Sequence, residues 1–376
     1  MMVFPKSPGD GTDGVSSLPE RVRYLASHLA RPTAPERDRH RHWDEGLFKA
    51  LSAAFSTELT GGQTAAFLTA LGEGSQDPGL ALAFTTHAVL TAVPLRAFGT
   101  SAQQERYLPR IAAGEWLGAL SLRQTQGAAF ASTVAVKPAL GAESGWVLSG
   151  DLEQVVLGTQ AHHYLVIAEH SDGSRTAFLL DRDTPGLRIE ESDPAAMRSC
   201  PWGRLFLDEC RVPSDAVLGT VGAAVAETEP FLATLDWVFT SASWLGIMQA
   251  LINESLAAVH ARNLFGAPLV HSQSVRFLLA DLAIQNELAA GLLNRAAAQF
   301  DGDASPSHQE AATARLFTAA AVRTVAEGAA QLAGPAASTA DGLVERAHRD
   351  ALFFASTGGG AEVLRPVIAA SLLGLG

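Results

Sequence analysis

Two cysteines in 376 residues cannot build a disulfide framework, so the expectation is reduced thiols in a cytoplasmic chain. Charge is scarce as well. Asp, Glu, Lys and Arg make up 18 % of the residues, and acids outnumber bases 39 to 27, for a formal charge of −12 and a pI near 5.4. A long nucleic-acid groove needs clustered Lys and Arg, and this balance argues against one. Aromatic residues are few, 7 %, and scattered, so no base-stacking platform is visible. The opening residues 1–14 lack an apolar h-region, and no signal peptide is expected there. The most lipid-like run, Leu80 to Val93, is short for a membrane span and carries Thr85, Thr86 and His87. What the chain does have is apolar surface: 47 % hydrophobic residues and a mean hydropathy of +0.14. That is enough burial to offset ordering entropy, which excludes a disordered chain.

The length allows two or three domains, and the texture of the sequence changes twice. The first hundred residues read as helices. Ser17-Leu18-Pro19-Glu20 is a capping box, Arg31 to Arg41 reads as a Pro- and Arg-rich linker, and Gly79 to Phe98 is an apolar helix expected to be buried on most sides. Gly99-Thr100-Ser101 caps a further helix to Ala112. From Trp116 to Gly219 short β-rich runs follow, among them Thr133–Val136, Gly145–Leu148, Tyr164–Ile167, Thr176–Leu180 and Arg204–Leu207. Turn-spaced strands without helices between them predict an antiparallel β domain. After Gly219 long helical stripes return, one through Trp244, Met248, Ile252 and Val259, another through Leu278, Leu282 and Leu293. The expected fold class is α+β, mainly α: a helical domain over residues 1–115, an antiparallel β domain over 116–220, and a C-terminal four-helix bundle over 221–376.

Generic site patterns fall away on spacing. His40 and His42 stand i,i+2, and His162-His163 are adjacent, so neither pair puts two imidazoles on one helix face. No carboxylate or Cys stands at ligand distance, and no metal is expected. Cys200 and Cys210 read as buried thiols rather than a redox pair. Gly358-Gly359-Gly360 lacks the Lys-Ser/Thr of a Walker loop, and spacing favours a turn between two helices.

The order of several segments carries more. Phe98-Gly-Thr-Ser through Gly114-Glu115, Asp183-Thr-Pro-Gly-Leu187, Met197-Arg-Ser199, Val212-Pro213 through Leu218-Gly219, Arg262-Asn-Leu-Phe265-Gly266 with Gln273, Gln331-Leu-Ala-Gly334, and Arg349-Asp350 occur in that sequence. In this order they resemble the acyl-CoA dehydrogenase superfamily over most of the chain. The resemblance implies a helical–β–helical subunit that assembles as a dimer of dimers. It also implies FAD-dependent α,β-dehydrogenation of an acyl thioester. In that reaction a carboxylate removes the α proton, donors hold the thioester oxygen, and the cofactor supplies the redox step.

Carried over residue by residue, the resemblance divides. The residues that such a subunit lends to its neighbour's FAD, around the diphosphate and adenine, match at Arg262, Phe265, Gln273, Gln331 and Gly334, although Gly334 is followed by Pro335 rather than a second Gly. A helix-end Arg and a core Phe would account for two of these structurally. The flavin-ring side matches poorly. Ser121-Leu122-Arg123 stands for the family's Thr-Glu-Pro, and Gln154-Val155-Val156-Leu157 stands for its Trp-Ile-Thr-Asn, so the aromatic wall and the hydroxyl are both absent. The family's usual catalytic Glu falls on Gly358, which offers a backbone N–H to a thioester oxygen but takes no proton. Some members place their Glu on the first long C-terminal helix, and that position is Asp236. An Asp is one methylene shorter, about 1.5 Å, and a displacement of that size costs on the order of a hundredfold in rate. A helix-start carboxylate near the dipole describes Asp236 equally well.

Three functions follow as expectations. The chain is a subunit of a heteromeric dehydrogenase, supplying the adenine side of a shared FAD site. Or it is self-sufficient, with Asp236 acting on a thioester carried by CoA or an acyl carrier protein. Or it is a repurposed scaffold, monooxygenase-like or without flavin, in a biosynthetic pathway. A homo-oligomer or a hetero-oligomer with a related subunit is expected in each case. Between Ala53 and Gly61 there is little room for the loop that helps close a fatty-acyl cavity in the family.

Overall fold

The computed structural model describes residues 17–53, 55, 59–139, 145–264, 266–302, 306–338 and 342–374. Residues 1–14 and most of the short 54–60 stretch noted above, positions 54 and 56–58, lie outside the described residues.

The helix starts follow local capping chemistry. α1 (Leu18–Leu25) opens with Ser17 N–H donating to Glu20 at 2.8 Å. The expected linker at Arg31–Arg41 is helical instead: a 3₁₀ turn, Arg31–Thr33, runs into α2 (Ala34–His40). The prolines sit in first turns, where no helical N–H is lost, and tertiary pairing of Arg37 and Asp38 settles the conformation. α3 (Glu45–Ser52) starts at Asp44, α4 (Gly61–Ser75) at Thr60, and α5 is one 21-residue helix, Pro78–Phe98. α6 (Ser101–Ala112) takes Thr100 as its cap, with Gln103 completing the box.

The middle of the chain forms an eight-stranded sheet. Its strands are β1 (Gly118–Ser121), β2 (Val134–Pro138), β3 (Gly145–Val156), β4 (His163–Glu169), β5 (Arg175–Asp181), β6 (Leu187–Glu191), β7 (Trp202–Pro213) and β8 (Val217–Leu218). The order is β6-β7-β3-β1-β4-β5-β8, with β2 beside β3 and β4. Pairing is antiparallel as expected except where β1 and β2 meet β4, which are parallel contacts. That exception arises because β1 inserts between β3 and β4, antiparallel to one and so parallel to the other.

α7 (Thr228–Ala261) opens the C-terminal helices and is followed by α8 (Gln273–Ala298), α9 (His308–Ala333), α10 (Leu343–Ser356) and α11 (Gly360–Leu373). α9 is the central member, packing on α7, α8, α10 and α11. α5 and α7 are both long and apolar enough to cross a membrane, but nearly all of their apolar windows are buried within the protein. Burial in the core, rather than the shortness inferred from Leu80–Val93, accounts for α5. Each carries an internal π turn, Thr86–Thr91 in α5 and Asp236–Thr240 in α7. Helices α4 and α7 cross in close contact at two glycines. A Cβ on Gly72 would meet the Ser243 carbonyl, and one on Gly246 would meet the Thr69 carbonyl.

A buried polar junction joins the three parts of the chain. Arg37 donates to Asp77 at 2.7 and 3.2 Å, both side chains almost fully buried. Asp77 also caps α5 through Leu80 N–H at 3.0 Å and accepts from Ser199. Arg349 grips Asp38 through two nitrogens and donates to Asp350 at 3.0 Å, and Asp350 accepts from Met197 N–H at 2.9 Å. Burial pushes the Asp350 carboxyl up to about 6, against the pull of Arg349. The Met197–Ser199 and Arg349-Asp350 segments, far apart in sequence, thus meet on the residues around Arg37.

Candidate active site

The sheet register places the ring-side residues. β1 pairs Leu120 with Val156 and Ser121 with Val155, so the turn that leaves β1 starts beside the end of β3. Val155 and Val156 are buried, 1 % and 0 % exposed, and offer hydrocarbon only. The turn continues as two 3₁₀ segments, Leu122–Thr125 and Gly127–Ala129. Three side chains at its start bond within the chain. Ser121 donates to the Glu153 carbonyl at 2.5 Å, and Gln124 spans Leu165 O and Ile167 N at 2.9 and 2.7 Å. The Thr125 hydroxyl lies 2.9 Å from both the Leu122 carbonyl and Asp236 Oδ2, sharing one proton between them.

Asp236 is not at a helix start. It is the ninth residue of α7, where the helix widens into its π turn, and it is 1 % exposed. The reading as a helix-start carboxylate near a dipole is thereby corrected: the helix begins two turns earlier, at Thr228, because its apolar face continues into the protein. π turns interrupt helices at the cost of regular packing and often at functional positions. Asp236 Oδ1 accepts from Thr240, one turn on, at 2.6 Å.

The structure brings Asp236 and Gly358 together. A Cβ built on Gly358 would lie 3.0 Å from Asp236 Oδ2 and 3.2 Å from the Trp237 ring. Trp237 Nε1 donates to the Gly358 carbonyl at 2.8 Å. Gly358, Gly359 and Gly360 all have φ between 62° and 91°, a left-handed run that side chains disfavour, so the turn between α10 and α11 is tight. On its far side Arg315, fully buried, donates through Nη2 to Phe354 O at 2.8 Å and Thr357 Oγ1 at 2.9 Å. Its guanidinium stacks 3.7 Å from the centre of the Phe354 ring. Burial pulls Arg315 down to about 10, and the negative charge of Asp236 works against that shift.

The family resemblance implies FAD, and the residues meet that cofactor unequally. On the ring side, a Cβ on Gly127 would stand 3.4 Å from Ala233 and 3.9 Å from Trp237, and the Ser121 and Thr125 hydroxyls and the Gln124 amide are bonded within the chain. Cavities of about 370, 510 and 480 Å³ are lined by other residues, none of them by Val155, Val156, Asp236 or Gly358. Toward a flavin ring Val155 and Val156 offer neither an aromatic face nor a hydroxyl, so the residues of this strand end do not suit one. The adenine side differs. Arg262 follows the last residue of α7, and its Nη1 donates to Leu332 O at 2.7 Å beside Gly334, while the side chain stays half-buried. Gln273 and Gln331 are exposed, and Phe265 lies outside the described residues. A guanidinium with neighbouring amides at the surface suits a diphosphate.

Thr125, Thr240, Trp237 and Arg315 escaped the sequence reading. Thr240 stands i+4 from Asp236, a spacing visible in the sequence, and Arg315 is a lone cation among Ala311, Ala312, Ala314 and Thr318. Thr125 left no local signal. Among the described residues no cluster of His, Cys, Asp or Glu could hold a metal ion, and Cys200 and Cys210 are free and buried.

Residues 12–115 match the acyl-CoA dehydrogenase N-terminal domain, and residues 238–373 match the acyl-CoA dehydrogenase C-terminal domain. The probable acyl-CoA dehydrogenase YngJ of Bacillus subtilis is 30 % identical over 323 residues, 84 % of each chain. An L-prolyl-[peptidyl-carrier protein] dehydrogenase of Pseudomonas fluorescens is 28 % identical over 62 % of each chain. A solved structure of PigA with FAD and proline superposes with a TM-score of 0.85 at 22 % identity, covering 97 % of this chain and all of that one, a likeness of fold.

Proposed function

The chain belongs to the acyl-CoA dehydrogenase family, and from that premise we propose that it is the partner subunit of a heteromeric, FAD-dependent acyl-thioester dehydrogenase. In this reading it lends diphosphate and adenine contacts through Arg262, Gln273, Gln331 and Gly334 and carries no flavin ring of its own. The observation that supports it is the contrast between the two sides. The ring-side turn is hydrogen-bonded onto Asp236, whereas the lent residues remain at the surface. The catalytic chain would be a related subunit, in the cytoplasm, that keeps the ring-side residues and the base. Its substrate would be a thioester on CoA or on a carrier protein, the latter suggested by the carrier-protein dehydrogenase among the relatives.

The test is purification of the chain alone and with a ring-competent family member. The isolated chain should be colourless, and the mixture should retain FAD that Arg262→Met releases. Stoichiometric FAD in the isolated chain would overturn the reading.

A further inference from the structure

Asp236 lies against the Gly358 turn in the interior, and Arg315 bonds to the backbone that leads into that turn. Both Asp236 oxygens already accept hydrogen bonds, one from the ring-side turn through Thr125 and one from its own helix through Thr240. The third neighbour, Gly358, approaches so closely that a single methyl group would touch the carboxylate. Arg315 supplies positive charge from α9 and, through Phe354 and Thr357, holds the backbone that leads into that turn. Three separate segments therefore converge on one carboxylate: the exit of β1, the π turn of α7 and the α10–α11 turn. The family resemblance puts the base of a catalytic member at position 236 or 358. Here the carboxylate reaches the chain itself.

We infer that Asp236 is a keystone rather than a base, a buried carboxylate that ties the ring-side turn to the C-terminal helices in place of a flavin ring. The ties are charge-assisted hydrogen bonds in a dry interior, where such bonds are strongest. Replacing the carboxylate by an amide takes the anionic acceptor from the Thr125 and Thr240 hydroxyls, and a hydrogen bond to a charged group is stronger than one to a neutral group. The inference concerns the chain's own interior and stands apart from the lending role of Arg262. A chain that fails to support a neighbour's FAD would remove that role and leave the keystone intact.

The experiment is thermal unfolding of the full chain, wild type, Asp236→Asn, Thr125→Val and the double variant, each with and without FMN and FAD. FMN carries the ring without adenine, so it reports the ring side alone. A ligand at a hundred times its Kd would stabilise the fold measurably. The wild-type midpoint is expected to stay unchanged with FMN. Asp236→Asn should lower it by about 3–6 °C, and Thr125→Val by less. The double variant should fall short of the sum of the two, because the tie is shared. A midpoint that rises with FMN, an Asp236→Asn midpoint equal to wild type, or strict additivity would each overturn the inference. Should Asp236→Asn fail to fold, Thr125→Val with FMN decides the case, since a loosened turn must lower the midpoint and still gain nothing from the ring.

Discussion

Position 358 offers a direct measure of the electrostatics around Asp236. Gly358 has φ +65°, a conformation that costs a side-chain-bearing residue about 1–2 kcal/mol. Its missing Cβ would stand 3.0 Å from Asp236 Oδ2 and 3.2–3.3 Å from Trp237, so the neighbours must give by a few tenths of an ångström, at a further cost of about 1 kcal/mol. Gly358→Ala is therefore expected to destabilise the chain by about 2–3 kcal/mol. Gly358→Gln and Gly358→Glu share those steric terms and differ in charge. The Glu carboxylate would lie about 4 Å from Asp236, where two unit charges at an effective dielectric of about 20 repel by about 4 kcal/mol. Urea unfolding at neutral pH should thus show the Glu variant less stable than the Gln variant by about 2–4 kcal/mol. In an Asp236→Asn background that difference should vanish. Equal stability of the Glu and Gln variants with Asp236 present would refute the reasoning.

Further expectations concern other buried groups. His87 and His163 are fully buried, and burial lowers them to about 4 and about 3. Each is neutral in the fold, so the unfolded chain takes up protons first as pH drops below about 6.5. Stability from these rings should be complete above that pH and lost progressively down to about pH 4 and 3, and His163→Leu should flatten the decline of the urea midpoint between pH 7 and 5. A Cβ at Gly246 would meet the Thr69 carbonyl and approach Glu73 N, backbone that cannot rotate away. Gly246→Ala should therefore cost at least about 3 kcal/mol, comparable to severe overpacking, read as a lowered thermal midpoint. Arg37→Met leaves Asp77 buried without its partner and should cost about 3–5 kcal/mol, part of which Arg37→Met with Asp77→Asn restores in calorimetry.

The sequence was most legible where the chemistry is local. Ser17/Glu20 and Thr100/Gln103 announce their helices because a cap needs only residues three apart. The apolar run from Gly79 to Phe98 is one helix because its burial carries it through the π turn at Thr86–Thr91. The linker reading of Arg31–Arg41 failed because the decisive partners of Arg37 and Asp38 are Asp77 and Arg349, 40 and 311 residues away. The same limit hid Thr125, whose role is created by Asp236 from 111 residues further along the chain. Motif spacing placed Asp236 and Gly358 as members of one site without showing that they would touch.

The segments that reveal the family are tied to its fold rather than to its chemistry. Met197, Ser199, Arg349 and Asp350 meet at the junction around Arg37 and Asp77, where they join the helical domain, the sheet exit and the last helices. None of them touches Val155, Val156 or Asp236, so the junction holds whatever occupies the interior. Arg262 is similarly independent. Its bond to Leu332 O closes the end of α9 at the surface, and no ring-side residue takes part in it. The junction and the Arg262 contact thus share no hydrogen bond with the interior group of Thr125, Asp236 and Thr240. The dividing line between matching and altered motifs follows this physical separation. The motifs that resemble the family's bear on packing between domains or on outer helix ends, and the departures from it gather around the turn after β1 and Asp236.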